Sequence, residues 1–409
     1  MRFVKAEDLK AGMRLARPIY NKNGVLLYER DTKLTMQGIY SIRNFGLMGI
    51  YILEPAEPVP PMSQEDVEFE RFQTMSIFTL RDALKAIATG KKAMSLGKLA
   101  RDIVRNYGNL DHKINFMQNL RSPEDDVYKH SLNVAILTAL MSNRLQFSSI
   151  EKEHVVTVAL VHDIGKLLLA GENERGKESY VQDDKKLLKK SHILGCNLIN
   201  ADYNIESQVK SIIGQTIRKI DHMEGEKKIN SQAADIIQVA YTYDILTSMK
   251  LNEEPKSEVE AIRYLQKKED EFSPIAVRAL IDSVNILSVG VCVELTNGHR
   301  GLVLNENKIN ILRPMVLSFR DNQIYDLQYD RVFKEMQIRD IMKTMDNRFV
   351  IDRELAAEYK KEVEEQKRKK EAAEKEKSDM VSRVLEDSDI TKKVTEQVQK
   401  QKETLTTEW

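Results

Sequence analysis

The chain has 409 residues, 42% of them hydrophobic and 6% aromatic, enough for one sizeable core and one or two smaller units. Its 63 Lys and Arg balance 63 Asp and Glu, so overall charge gives no reason to expect nucleic acid or an anionic membrane surface as partner, and any anion site has to be local. No apolar run approaches the roughly 18 residues of a membrane span, and Cys196 and Cys292 form neither a CxxC pair nor a disulfide framework. A cytoplasmic protein with reduced thiols, no signal segment and no membrane span is expected.

Residues 1–54 read as a small β-rich domain. MRLARPIY and GVLLYERD are short apolar runs bridged by NKNG, a turn sequence that favours a hairpin, and LTMQGIYSIRNFGLMGIYIL adds a short helix and a closing strand. The prolines of EPAEPVPPMSQED interrupt helix and sheet alike, so 55–66 is a linker. From Val67 to about Ile281 the pattern is helical: a lead-in over 67–120, then a helical domain over 121–285. In DDVYKHSLNVAILTALMSNRL, the residues His130, Val134, Leu137 and Met141 recur at helical spacing, which turns His130 inward. Ser148 and Glu151 make a capping box for the next helix, which runs into VALVHDIGKLLLA and ends inside or just after its HDIGK motif.

Beyond Leu287 the period changes. VGVCVELTNGHRGLVL alternates around a TNG turn and INILRPMVLSFRD supplies further strand-like runs, so 286–335 is a second small β-rich unit, followed by a helical segment over 336–351. Residues 352–409 are charge-rich. Glu364 to Arg368, Glu365 to Lys369 and Glu371 to Lys375 stand at the stabilising i,i+4 spacing, but apolar residues are too few for a packed helix. This reads as a solvated helix fading into a disordered tail, whose row Ile390, Val394 and Val398 is the one hint of a face for a protein partner.

The candidate chemistry lies in the helical domain. A divalent ion wants neutral imidazoles and carboxylates converging from rigid elements. His162 and Asp163 offer both, His130 lies one helix upstream with Asp126 one turn before it, and His192 lies in KKSHILGCNLI on the next helix. Lys166, one turn beyond Asp163, can neutralise a phosphate oxygen. An adjacent His-Asp pair alone is weak, since such pairs often cap a helix end; five potential ligands on three consecutive helices are stronger. His112, His154 and His299 stand without a partner pattern, and no phosphate-binding Gly-rich loop, nucleophile elbow or zinc-ribbon spacing is present.

From Asp126 to Asp282, through DDVYKHS, VHDIGK, HILG and QVAYTYDILTS, the sequence resembles the HD superfamily of metal-dependent phosphohydrolases, and within it the HD-GYP domains that hydrolyse cyclic di-GMP. LKAGMRLARPIYNKNGVLL before and VELTNGHRGLVL with RPMVL after are similar to segments that accompany such domains in bacterial signalling proteins. The resemblance implies a mainly α fold, an HD-type helical bundle flanked by the two β-rich units and the charged tail. It also implies that His130, His162 and Asp163 bind metal, with Asp163 bridging two ions. His192 would bind the second ion, Asp126 stands where the family has a Glu ligand, and Asp163 and Lys166 carry the chemistry. Iron or manganese is the implied metal and cyclic di-GMP or a related nucleotide the implied ligand.

The match then breaks. IIGQTIRKIDHMEGEKKIN has no Gly-Tyr-Pro, and the surrounding helices put Thr216 and Ile217 at the family's paired histidines. In an alternative register His222 and Glu224 stand in for part of the lost motif. Where the family has Val-Ala-Asp, the chain reads Val239, Ala240, Tyr241, and a phenol is a poor ligand for manganese or ferrous iron. Asp244 belongs to a separate, structural position. Three readings follow: a degenerate HD-GYP-like signalling module that binds nucleotide or protein, an active phosphodiesterase or other phosphohydrolase with a reduced metal site, and a helical structural protein whose histidines are satisfied core residues.

Overall fold

The computed structural model describes residues 2–20, 25–44, 49–53, 63–118, 120–121, 125–172, 185–202, 204–221, 230–250, 255–341 and 396–397. The NKNG turn, most of the linker, His222, Glu224 and the tail's row of Ile390, Val394 and Val398 lie outside them.

The first unit consists of β1 (Arg2–Lys5), β2 (Arg14–Leu15), β3 (Ile19–Tyr20), β4 (Leu26–Tyr28), α1 (Met36–Asn44) and β5 (Gly49–Leu53). β5 runs antiparallel between β1 and β2, while β3 and β4 make the hairpin that the sequence predicts around NKNG. Val4, Leu15, Ile39, Ile42 and Ile52 lie in its own small core.

The helical body follows with α2 (Gln64–Ala88), α3 (Met94–Tyr107), β6 (Leu120–Arg121), α4 (Asp126–Arg144), α5 (Ser149–Val161), α6 (Ile164–Glu172), α7 (Lys185–Ala201), α8 (Ser207–Ile220), α9 (Gln232–Thr247), β7 (Met249–Lys250), α10 (Glu258–Lys267) and α11 (Pro274–Ile281). α2 starts inside the expected linker, because Ser63 and Asp66 form a reciprocal capping box that satisfies its first amides. The predicted box of Ser148 and Glu151 does the same for α5. α4 is apolar nearly all round, with Leu132, Val134, Ala135, Ile136, Leu137 and Ala139 fully buried. Such a helix belongs in the middle of a body, and α2, α3, α5, α9 and α11 pack around it.

The last unit holds β8 (Cys292–Leu295), β9 (Arg300–Asn305), β10 (Met315–Ser318), β11 (Ile324–Asp326), α12 (Asp330–Glu335) and β12 (Ile338–Ile341), in the sheet order β11-β10-β9-β8-β12. The helical segment expected over 336–351 is corrected at its start: β12 pairs antiparallel with β8. Ile338 is fully buried there while Arg339 is exposed, a strand alternation that a short helical reading of MQIRDI overlooks. The alternation also sorts the sheet. Val293, Leu295, Val303, Val316 and Ile338 face the helical core, whereas Cys292, Leu302, Leu304 and Leu317 form a satellite cluster on the other side. Both cysteines are free thiols. Among the described residues, no helix is long and apolar enough to cross a membrane.

Candidate metal centre

α5 stops at Val161 with His162 as its C-cap, and α6 resumes at Ile164, so the break between two packed helices turns His162 and Asp163 into the body. α4 brings His130 from one side and α7 brings His192 from the other. The approach of α7 depends on two glycines. A Cβ on Gly165 would fall 1.8 Å from the carbonyl oxygen of Ser191, and one on Gly195 would fall 2.9 Å from the amide nitrogen of Gly165. Without side chains at either place, α6 and α7 meet backbone to backbone.

The three imidazoles are then arranged alike. His130 turns Nδ1 to Asp244 at 2.6 Å, His162 turns Nδ1 to the carbonyl oxygen of Ala159 at 2.7 Å, and His192 turns Nδ1 to Asp221 at 2.7 Å. Carbonyl and carboxylate oxygens accept, so Nδ1 donates and Nε2 is the nitrogen left to face inward. The inward atoms converge on Asp163. Nε2 of His130 lies 3.5 Å and Nε2 of His162 lies 3.9 Å from its Oδ2, and Nε2 of His192 lies 3.4 Å from its Oδ1. Outer hydrogen bonds that orient imidazoles in this way are typical of metal-ligating histidines.

Electrostatics point the same way. The Nε2 atoms of His130 and His162 stand 3.2 Å apart. With both rings neutral, two lone pairs confront each other, an arrangement that a cation between them relieves. Burial pushes His162 down to about 4, so it is neutral at ordinary pH. Burial opposes ionisation of Asp163, but Lys166, with Nζ 2.5 Å from Oδ2, and the neighbouring histidines outweigh it and hold the carboxylate well below its usual range. His192 differs: burial works against its proton, yet Asp163 and Asp221 raise it to about 9, so without a cation the ring holds a proton that a metal would have to displace. Asp163 Oδ1, His192 Nε2 and Tyr241 Oη are buried without a hydrogen-bond partner, a condition that a bound ion would explain. The nitrogen and oxygen donors of His130, His162 and Asp163, all within 4.8 Å of one another, fit a metal ion.

The sequence-predicted residues divide accordingly. His130, His162, Asp163, His192 and Lys166 come together. Asp126 lies at the edge, its Oδ1 3.7 Å from the buried Arg121 guanidinium and without a hydrogen bond. Thr216 is buried and gives its hydroxyl to the carbonyl oxygen of Ile212, one turn back in α8, at 2.9 Å, and Ile217 packs in the core; neither presents a donor. The Tyr241 ring stands edge-on to all three imidazoles, with centroids 4.9 Å from His130, 5.5 Å from His162 and 6.5 Å from His192. Burial and the surrounding carboxylates hold its phenol well above its usual range. His112 pairs with Glu65 and Asp111, and His154 with Glu206, away from the site.

Sequence reasoning missed Asp221 as the partner of His192, and understated Asp244. Asp244 accepts from both His130 and Arg121, and from Gln118 and Asn133 at 3.0 Å each. Burial opposes its charge, but Arg121 and His130 keep it ionised far below the usual carboxylate range. An acid on the apolar helix α9 is the signal that marks such a position, since a buried carboxylate needs a partner.

Residues 127–264 match the family model of the HD domain. This stretch of the helical body is similar to the HD domain. HD domains are metal-dependent, and the cluster of His130, His162 and Asp163 falls within the matched segment. The chain is 23% identical over 206 residues to cyclic di-GMP phosphodiesterase PA4108 of Pseudomonas aeruginosa, covering 49% of each chain. It is 19% identical over 192 residues to cyclic di-GMP phosphodiesterase PdeB of Borreliella burgdorferi, covering 46% of this chain and 50% of that one. The chain thus spans about half the length of the curated relatives it matches. Among solved structures, Bd1817, a HDG"Y"P protein from Bdellovibrio bacteriovorus, aligns with 69% of this chain and 98% of its own, at 16% identity and a TM-score of 0.39.

Proposed function

We propose that the protein is a cyclic di-GMP signalling protein whose HD domain is degenerate: it binds metal and nucleotide, is impaired in hydrolysis, and acts by occupancy. The observation that carries this reading is the asymmetry of the site. His130, His162, Asp163 and His192 stand with their outer partners in place, while the positions that the family resemblance assigns to the remaining ligands carry Thr216, Ile217 and the phenol of Tyr241. His130, His162 and Asp163 would hold a first ion, iron or manganese, and Asp163 with His192 would reach a second. A bound divalent ion supplies Lewis acidity to a phosphoryl oxygen and acidifies water. The chain itself supplies charge and orientation. Asp163 holds Lys166 inside the site, and a phosphate would compete with that carboxylate for the ammonium group. Asp244 and Asp221 keep the imidazole rings aimed.

The second reading, an active cyclic di-GMP phosphodiesterase or other phosphohydrolase with a reduced metal site, is favoured by the intact inner set and by Lys166. Turnover of cyclic di-GMP separates the two. Protein purified without oxygen and supplied with manganese or ferrous iron is assayed beside Asp163→Ala, together with metal content and nucleotide binding. The expected outcome is that the wild type retains metal and binds cyclic di-GMP without product above the variant, while Asp163→Ala loses the metal with its helical content nearly unchanged. Product from the wild type alone establishes the active reading, and equal metal content in the variant overturns the site assignment.

A further inference from the structure

We propose that Tyr241 is itself a metal ligand, and that its phenolate oxygen completes a donor set that takes trivalent iron. This rests on the reading of His130, His162 and Asp163 as a metal centre. Three observations meet at the residue. Its oxygen is buried and, among the described residues, has no hydrogen-bond partner, a condition that calls for an explanation in a folded interior. Its ring sits edge-on to His130, His162 and His192 together, so Tyr241 packs against all three imidazoles of the candidate centre. The same helix, one turn on, carries Asp244, which fixes His130 through Nδ1. α9 thus presents both a ligand and the orienting partner of another.

The chemistry of the donors selects the ion. Imidazoles, a carboxylate and a phenolate are nitrogen and oxygen donors with two negative charges, a set that suits a small, hard, highly charged cation and disfavours soft ones. Coordination breaks the O–H bond of Tyr241, releases the proton to water and forms an O–Fe bond; iron enters as the ferric ion, so no electron is transferred. A phenylalanine would fill the same volume, so packing alone does not account for the oxygen.

Phenolate coordination has a signature independent of activity, a visible charge-transfer absorption that ferric iron on histidine and carboxylate alone lacks. The chelator-stripped full-length chain is loaded with ferric citrate in air, desalted, and measured for bound iron, visible absorption and resonance Raman ring modes, beside Tyr241→Phe and Asp163→Ala. Expected are coloured, iron-loaded wild type, colourless Tyr241→Phe with unchanged circular dichroism, and no retained iron in Asp163→Ala. Iron-loaded wild type without the band overturns the role of Tyr241 and leaves the metal centre standing, as does a band that survives in Tyr241→Phe. Failure of the wild type to retain iron, manganese or zinc overturns both this inference and the metal-centre reading.

Discussion

Gly165 and Gly195 are the residues on which the spacing of the site depends. A methyl group on Gly165 would meet the Ser191 carbonyl at 1.8 Å, and backbone cannot swing aside as a side chain can. Gly165→Ala must therefore push α7 away from α6, and His192 with it. We expect a loss of about 1–3 kcal/mol in urea denaturation, the usual cost of overpacking, together with weakened metal retention. Unchanged metal affinity in this variant would show that the approach of His192 to Asp163 does not matter for binding. HDIGK was legible as a candidate site because its His, Asp and Lys are chemically conspicuous. The packing duty of its glycine was not legible, since the opposing Gly195 lies a whole helix away in sequence.

At the scale of elements, local signals and long-range ones fared differently. The box of Ser148 and Glu151 was readable because both halves lie within four residues, and it forms as expected. Ser148→Ala removes the bond to the Glu151 amide and should cost about 0.5–2 kcal/mol in thermal or urea unfolding, while leaving the visible spectrum of any bound metal as it was; a shifted spectrum would mean that the start of α5 controls its distal end at His162. The inward turn of His130 was also readable from the period of α4. β12 was not, because a four-residue strand at a sheet edge is defined by its partner β8 more than by its own sequence. Asp221 escaped, and Asp244 was read only as a structural position, for a related reason: their roles come from the imidazoles they meet across helices, and an isolated aspartate carries no spacing pattern. Thr216 and Ile217 were read as lost ligands; in α8 the Thr216 hydroxyl bonds back to the Ile212 carbonyl and Ile217 packs in the core.

Across the whole molecule, the N-terminal β-rich unit is joined to the helical body through charged groups that lie close to the centre's outer partners. Arg17 donates to the carbonyl oxygen of Gln118 at 3.3 Å, and the Gln118 side chain in turn donates to Asp244, the partner of His130. The same Arg17 lies 3.2 Å from Glu70 on α2. Burial is the largest influence on Glu70 and raises it above the ordinary 4.5, while Arg17 and Arg30 pull it down without cancelling the rise. The sign of the pH effect follows. A carboxyl raised on folding contributes its full stability below its unfolded value, and that contribution is lost as pH rises through the folded value. Above that folded value the wild type carries an ionised carboxylate in a place that prefers a neutral one. Glu70→Gln, which keeps the shape and removes the charge, should be more stable than the wild type at pH 7. The difference between the two should shrink as pH falls through the raised folded value, where the wild type takes up its proton, and should vanish below the ordinary one. Urea unfolding of both proteins at several pH values measures that difference directly. A variant less stable at pH 7 would mean that the attraction to Arg17 and Arg30 exceeds the cost of burial, and that the junction is held by ion pairing more than by packing.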